Sequence, residues 1–126
     1  MKLMIVDDHA GSRDMIRKLV SSPRVAIREC ASAEEALRTG REFKPDWITM
    51  DIHMPGTNGL AAAIALRAEH PNAQIVIVTG DDRSYLRRLA HEAGAVRYIC
   101  KENLHELQEL LIPIIAADRS SEAPGP

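Results

Sequence analysis

Short runs of apolar and β-branched residues alternate along this chain with helix-length amphipathic segments, and that alternation leaves few folds open. Strands joined through helices run parallel, because the crossover returns the chain to the same edge of the sheet. A sheet built this way is covered on both faces, so its strands read as near-continuous apolar runs. Residues 2–7, 25–30, 46–50, 74–79 and 96–100 fit five such strands. Residues 10–21 carry Ala10, Met15, Ile16, Leu19 and Val20 at helical spacing, closed by Pro23. Ser32 with Glu35 three residues on makes a capping box for a second helix reaching about Arg41. Asn58 suits the cap of a third helix, through about His70. Asp81 or Asp82 suits the cap of a fourth that stops at Gly94, and 102–112 make a fifth. Pro113 lacks an N–H and crowds the carbonyl of Glu109, so the fifth helix should kink or end there.

At 126 residues the chain fits one domain over residues 1–117, and its 45% apolar content supports a core without disulfide or metal staples. The small, polar, Pro-containing stretch 118–126 is expected to be a disordered tail. A formal net charge of −2 argues against a nucleic-acid surface. The longest apolar run, residues 110–117, is broken by Pro113 and falls short of the roughly 18 residues that span a bilayer. The apolar start of the chain meets two acids at once and is too short for a secretory signal, which predicts a cytoplasmic protein. Cys30 and Cys100 show neither CxxC nor Cys/His metal spacing and read as buried thiols.

Five polar residues fall at the carboxyl ends of the expected strands: Asp7 and Asp8, Asp51, Thr79 and Lys101. In open parallel sheets, ligands bind outside those ends, where the strand order reverses. For the order 2-1-3-4-5 that point lies between strands one and three, where the three carboxylates converge. Three carboxylates in one pocket repel one another and call for a hard divalent cation such as Mg²⁺. With the cation bound, one carboxylate can attack phosphorus to give an aspartyl-phosphate. Lys101 then offers a mobile ammonium, and Thr79 a hydroxyl donor, to the phosphoryl oxygens. Singly, each residue reads as a helix cap, a solvated lysine or a strand threonine; in this order on one sheet edge they read as a site.

With these residues in place the chain resembles the response-regulator receiver family over residues 1 to about 112. The resemblance rests on Ile5-Val6-Asp7-Asp8-His9, on the Asp51-Ile52-His53-Met54-Pro55-Gly56 segment with Gly59, on Val76-Ile77-Val78-Thr79-Gly80, and on Ala93 through Lys101. It implies a flavodoxin-like, doubly wound α/β fold with five helices. It further implies that Asp51 accepts a phosphoryl group from a sensor histidine kinase or phosphotransfer protein. Asp8 and Asp51 would bind Mg²⁺ with the backbone carbonyl of His53, and Asp7 through water. Thr79 and Lys101 would hold the phosphoryl group. Tyr98 would turn inward on activation and alter the face made by helix four, strand five and helix five. The listener would be a target protein of unknown identity, a phosphotransfer partner or a second copy of the chain. His53 and Asp81, two residues past Asp51 and Thr79, stand where such families tune phosphoryl lifetime. This chain departs from the family in having Glu102 after Lys101 where proline is usual, and Arg97 where glycine is common. Pro113 is a third departure, and all three fall on the output side.

Two other classes compete with a phosphorylated switch. One is a phosphorylation-independent adaptor on the same fold. The other is a phosphohydrolase with an aspartyl intermediate, which would carry a second aspartate where His53 stands. Neither a P-loop nor a dinucleotide-binding glycine fingerprint is present.

Overall fold

A computed structural model describes residues 1–118. Strands β1 (Lys2–Val6), β2 (Ala26–Cys30), β3 (Trp47–Met50), β4 (Gln74–Thr79) and β5 (Arg97–Cys100) alternate with helices α1 (Ala10–Val20), α2 (Ala33–Phe43), α3 (Gly59–Glu69), α4 (Ser84–Glu92) and α5 (His105–Ala117). The five strands form one sheet in the order β2-β1-β3-β4-β5, all parallel. This is the doubly wound, flavodoxin-like architecture that the sequence implied.

Alternating side chains divide the core between the two faces of the sheet. Met4, Val6, Ile48, Met50, Ile75 and Ile77 point to one face, under Ala36, Ala63, Leu66, Leu86 and Ala90 of α2, α3 and α4. Leu3, Ile5, Val76, Val78 and Ile99 point to the other, under Ile16 and Val20 of α1 and Leu107, Leu111 and Ile115 of α5. Each fully buried aliphatic side chain contributes roughly 1.5–3 kcal/mol, so the two layers fix the sheet firmly.

Several local expectations shift. The tail expected over 118–126 lies outside the described residues except for Asp118, whose N–H caps α5 by donating to the Ile114 carbonyl at 3.0 Å. Helix α5 does not end at Pro113 but runs on to Ala117. Burial of Leu107, Leu111 and Ile115 on one stripe outweighs the one hydrogen bond that proline removes. The same helix begins at His105 rather than 102, because residues Lys101–Asn103 form a 3₁₀ turn. Neither Asp81 nor Asp82 caps α4: its cap is Arg83, with no side-chain bond to the helix. Helix α2 runs past Arg41 to Phe43 and stops where Lys44 turns left-handed at φ 53°, its N–H donating to the Gly40 carbonyl at 2.9 Å.

One element escaped the sequence reading. A two-residue antiparallel ribbon pairs His53–Met54 with Thr57–Asn58. Its signal was the Pro55-Gly56 pair, since Gly56 takes φ 72°, the conformation a tight turn asks of its second central residue. Among the described residues no helix is long and apolar enough to cross a membrane.

Candidate functional site

Register assembles the site before any side chain is considered. Val6 of β1 stands opposite Met50 of β3 and Cys30 of β2, so Asp7 and Asp51 emerge side by side. The main chain continues this alignment: the Asp7 N–H donates to the Cys30 carbonyl and the Asp51 N–H to the Val6 carbonyl, each at 3.0 Å. Thr79 ends β4 opposite Cys100, which brings Lys101 to the same edge.

Glycine lets helix α3 close over this edge. A Cβ on Gly59 would lie 2.0 Å from the Asp51 carbonyl oxygen and 2.7 Å from the Cα of Ile52. The Gly59 N–H donates to the Ile52 carbonyl at 2.8 Å, and Asn58 caps the helix through the Leu60 N–H at 2.8 Å. The segment after Asp51 is therefore pinned at both ends.

Carboxylate oxygens of Asp7, Asp8 and Asp51 all lie within 4.8 Å of one another. Asp7 and Asp51 are buried and Asp8 is exposed. Lys101 Nζ reaches between the two buried ones, 2.8 Å from Asp7 Oδ2 and 3.0 Å from Asp51 Oδ2. The Asp7 contact is ionic rather than directed, leaving Oδ2 without a well-oriented donor. The other oxygens are served by backbone: the His9 N–H donates to Asp7 Oδ1 at 2.9 Å and the His53 N–H to Asp51 Oδ1 at 3.3 Å. Burial disfavours the Lys101 charge, but bonds to Asp7 and Asp51 and their negative charge outweigh it, so its pKa rises above the ordinary lysine value.

One ammonium among three carboxylates leaves the cluster with excess negative charge. A partly satisfied buried oxygen on Asp7 and an exposed carboxylate on Asp8 face the same point. That donor set, all oxygen and open on one side, fits a hard divalent cation.

Thr79 is buried, and its hydroxyl accepts from the Asp81 N–H at 3.4 Å. His53 and Asp81, read from sequence as separate positions, touch: His53 Nε2 lies 2.8 Å from Asp81 Oδ2. Arg83 grips the same carboxylate through Nε, 2.9 Å from Oδ1, and through its N–H at 3.1 Å. The Arg83 guanidinium first, and His53 second, hold the Asp81 carboxyl well below the usual carboxylate range. The His53 imidazole thus meets Asp81.

Tyr98 is half-buried against the core, its hydroxyl donating to the Asp81 carbonyl. Burial, and then the Asp81 charge, push that hydroxyl up to about 12. The Arg87 guanidinium lies 4.7 Å from the centre of its ring. Sequence reasoning missed Arg83 and Arg87. Arg83 precedes α4 and turns back to Asp81, while Arg87 one turn into the helix meets Tyr98 of β5, and nothing local reveals either partner.

Residues 3–112 match the family model described as the response regulator receiver domain. The chain is 31% identical over 122 residues to the response regulator GacA of Pseudomonas syringae pv. syringae, covering 94% of this chain and 57% of that protein. It is 33% identical over 101 residues to the chemotaxis protein CheY of Thermotoga maritima, covering 79% of this chain and 84% of that one. Among solved structures, a LuxR-family two-component response regulator from Aurantimonas superposes with a TM-score of 0.81 at 36% identity, covering 94% of this chain and 86% of the other. The chain thus spans little more than half the length of the GacA proteins it matches.

Proposed function

This chain belongs to the response regulator receiver family of two-component systems, and from that membership we propose that Asp51 accepts a phosphoryl group from a histidine kinase or phosphotransfer protein. Receiver domains are signalling modules rather than enzymes acting on a separate pool of substrate. The observation that carries the proposal is the contact of Lys101 Nζ with both Asp7 and Asp51, with the Asp8 carboxylate in the same cluster.

In the proposed reaction an Asp51 carboxylate oxygen attacks phosphorus, forming a P–O bond as the P–N bond of the donor phosphohistidine breaks. The histidine nitrogen leaves with the electron pair and takes up a proton. Mg²⁺ held by Asp8, Asp51 and the His53 carbonyl, with Asp7 through water, would neutralise charge on the phosphoryl oxygens. Lys101 is already at the acceptor and needs only to shift from carboxylate to phosphoryl oxygen. The His53 N–H and the Thr79 hydroxyl add donors.

Thr79 and Tyr98 form the proposed relay. The Thr79 hydroxyl and the Tyr98 hydroxyl both meet the main chain of Asp81, so a pull on Thr79 moves the acceptor of Tyr98. Couplings of this kind are typically about 1–3 kcal/mol, enough to shift a population rather than throw an absolute switch. Output would pass through protein contact at α4, β5 and α5. The His53–Asp81 pair ties the segment after β3 to the segment after β4, a position suited to controlling water at the acyl phosphate.

The deciding experiment is intact mass after incubation with acetyl phosphate and Mg²⁺. A gain of one phosphoryl group in the wild type, absent in Asp51→Asn and in EDTA, supports the proposal. No gain in either protein leaves the phosphorylation-independent adaptor.

A further inference from the structure

Several arginines on this surface are held by carboxylates of their own chain. Arg13 and Arg17 lie on Glu29, Arg41 on Glu69, and Arg83 on Asp81. Arg87 and Arg97, on the output side, are not so held. Among the described residues Arg87 contacts only neutral groups: the Tyr98 ring, the Tyr98 carbonyl at 3.4 Å and Cys100 Sγ at 3.6 Å. Arg97 is exposed on β5 and, among the described residues, has no hydrogen bond or ion pair.

Both line one notch of about 410 Å³ between α4, β5 and the start of α5. His91 lines it too, and among the described residues Glu106 is the one carboxylate in its lining. Val96, 45% exposed, lies on the same wall and adds an apolar contact. A guanidinium is weakly hydrated and presents a planar fork that matches a carboxylate, so two such forks without carboxylate partners mark a place where one is to be supplied. The departure at Arg97 then has a use: it sets a charge beside Tyr98 where glycine would set none.

We propose that this notch docks an acidic segment of a protein partner, whose carboxylates meet Arg87 and Arg97 while an apolar neighbour covers Val96. The proposal rests on the output face proposed above and names the chemistry of its listener. It also supplies a physical link to the switch. Arg87 packs on the Tyr98 ring, so movement of that ring re-aims the guanidinium and changes the fit of the acidic segment.

The test uses the full chain and fluorescein-labelled amphipathic peptides that share one leucine face and carry either Glu or Gln at its edges. Anisotropy with and without beryllofluoride and Mg²⁺ gives affinities, and Asp51 labelling by acetyl phosphate is measured on the same wild-type sample. We expect the Glu peptide to bind at least tenfold more tightly than the Gln peptide, weaken at least tenfold on Arg97→Glu, and largely recover with Arg97→Lys. Circular dichroism of each variant separates loss of binding from loss of fold. Equal affinity for the two peptides, binding indifferent to Arg97→Glu, or a single-stranded oligonucleotide binding as tightly as the Glu peptide would each overturn it. Normal Asp51 labelling in that case leaves the phosphoacceptor reading standing, whereas absent labelling would fail that reading instead.

Discussion

The acidic edge between β1 and β3 and the α4–β5 side of the molecule are both polar, yet they are held by different means. At the acidic edge the main chain does the positioning. Strand register, the Asp51 N–H on the Val6 carbonyl and the close approach of Gly59 set the carboxylates, and only Lys101 reaches in on a flexible stem. On the α4–β5 side, long side chains do the work. Arg83 and Tyr98 meet at Asp81, and Arg87 packs on the Tyr98 ring, through contacts that a rotamer change would break. A site fixed by backbone suits chemistry that needs sub-ångström placement. A surface fixed by side chains has alternative arrangements within a few kcal/mol, as a switch requires.

The contrast is broken most severely at Gly59. Gly59→Ala should cost about 3 kcal/mol or more in urea unfolding and abolish acetyl-phosphate labelling, because the new Cβ meets backbone that cannot yield. Labelling that survives at normal stability would show the edge to be more pliant than its geometry. Next in size is the cation effect. With Mg²⁺ at a hundredfold over its dissociation constant, the wild type should gain about 2.7 kcal/mol in thermal or urea unfolding. EDTA should reverse the gain, and Asp51→Asn should lose most of it.

Perturbing the other region should cost less stability. Arg87→Ala removes a cation–π contact and two weak bonds, and a loss of about 1 kcal/mol is expected in urea unfolding. A loss as large as that at Gly59 would erase the distinction between the regions. His53→Ala removes the contact of an exposed imidazole with the half-buried Asp81 carboxylate, so stability should move by less than about 1 kcal/mol. Phosphoryl decay should quicken severalfold in that variant as water gains access, followed by loss of the labelled mass with time. Unchanged decay in both His53→Ala and Asp81→Ala would remove the pair from the mechanism.

The smallest effect is a pH signature of the side-chain region. Tyr98 is neutral when folded, and its hydroxyl is raised to about 12. The unfolded chain would release that proton near pH 10, so the folded state binds more protons in between. This contribution is present below about pH 10 and lost as pH rises towards 12. Ultraviolet titration of tyrosinate, compared with Tyr98→Phe, should show one group ionising in that alkaline window. A wild-type curve identical to that of the variant, scaled for one tyrosine fewer, would contradict the seating of Tyr98.

Much of this molecule was written in local sequence. The alternation of apolar runs and amphipathic segments gives a parallel sheet, because only covered strands can be apolar on both faces. The positions of Asp7, Asp8, Asp51, Thr79 and Lys101 just past those runs place them on one edge, since parallel strands all end at the same side. Pro55-Gly56 carried the ribbon after β3 and could have been read. Tertiary structure alone decided the rest. Burial of Leu107, Leu111 and Ile115 carried α5 through Pro113 against its local preference. The grouping of His53, Asp81, Arg83, Arg87 and Tyr98 depends on how three separate segments pack, and no spacing along the chain records it. Periodicity and strand ends are local properties of a polymer. The meeting of long side chains from different segments is not, because it depends on where the whole fold sets their backbones.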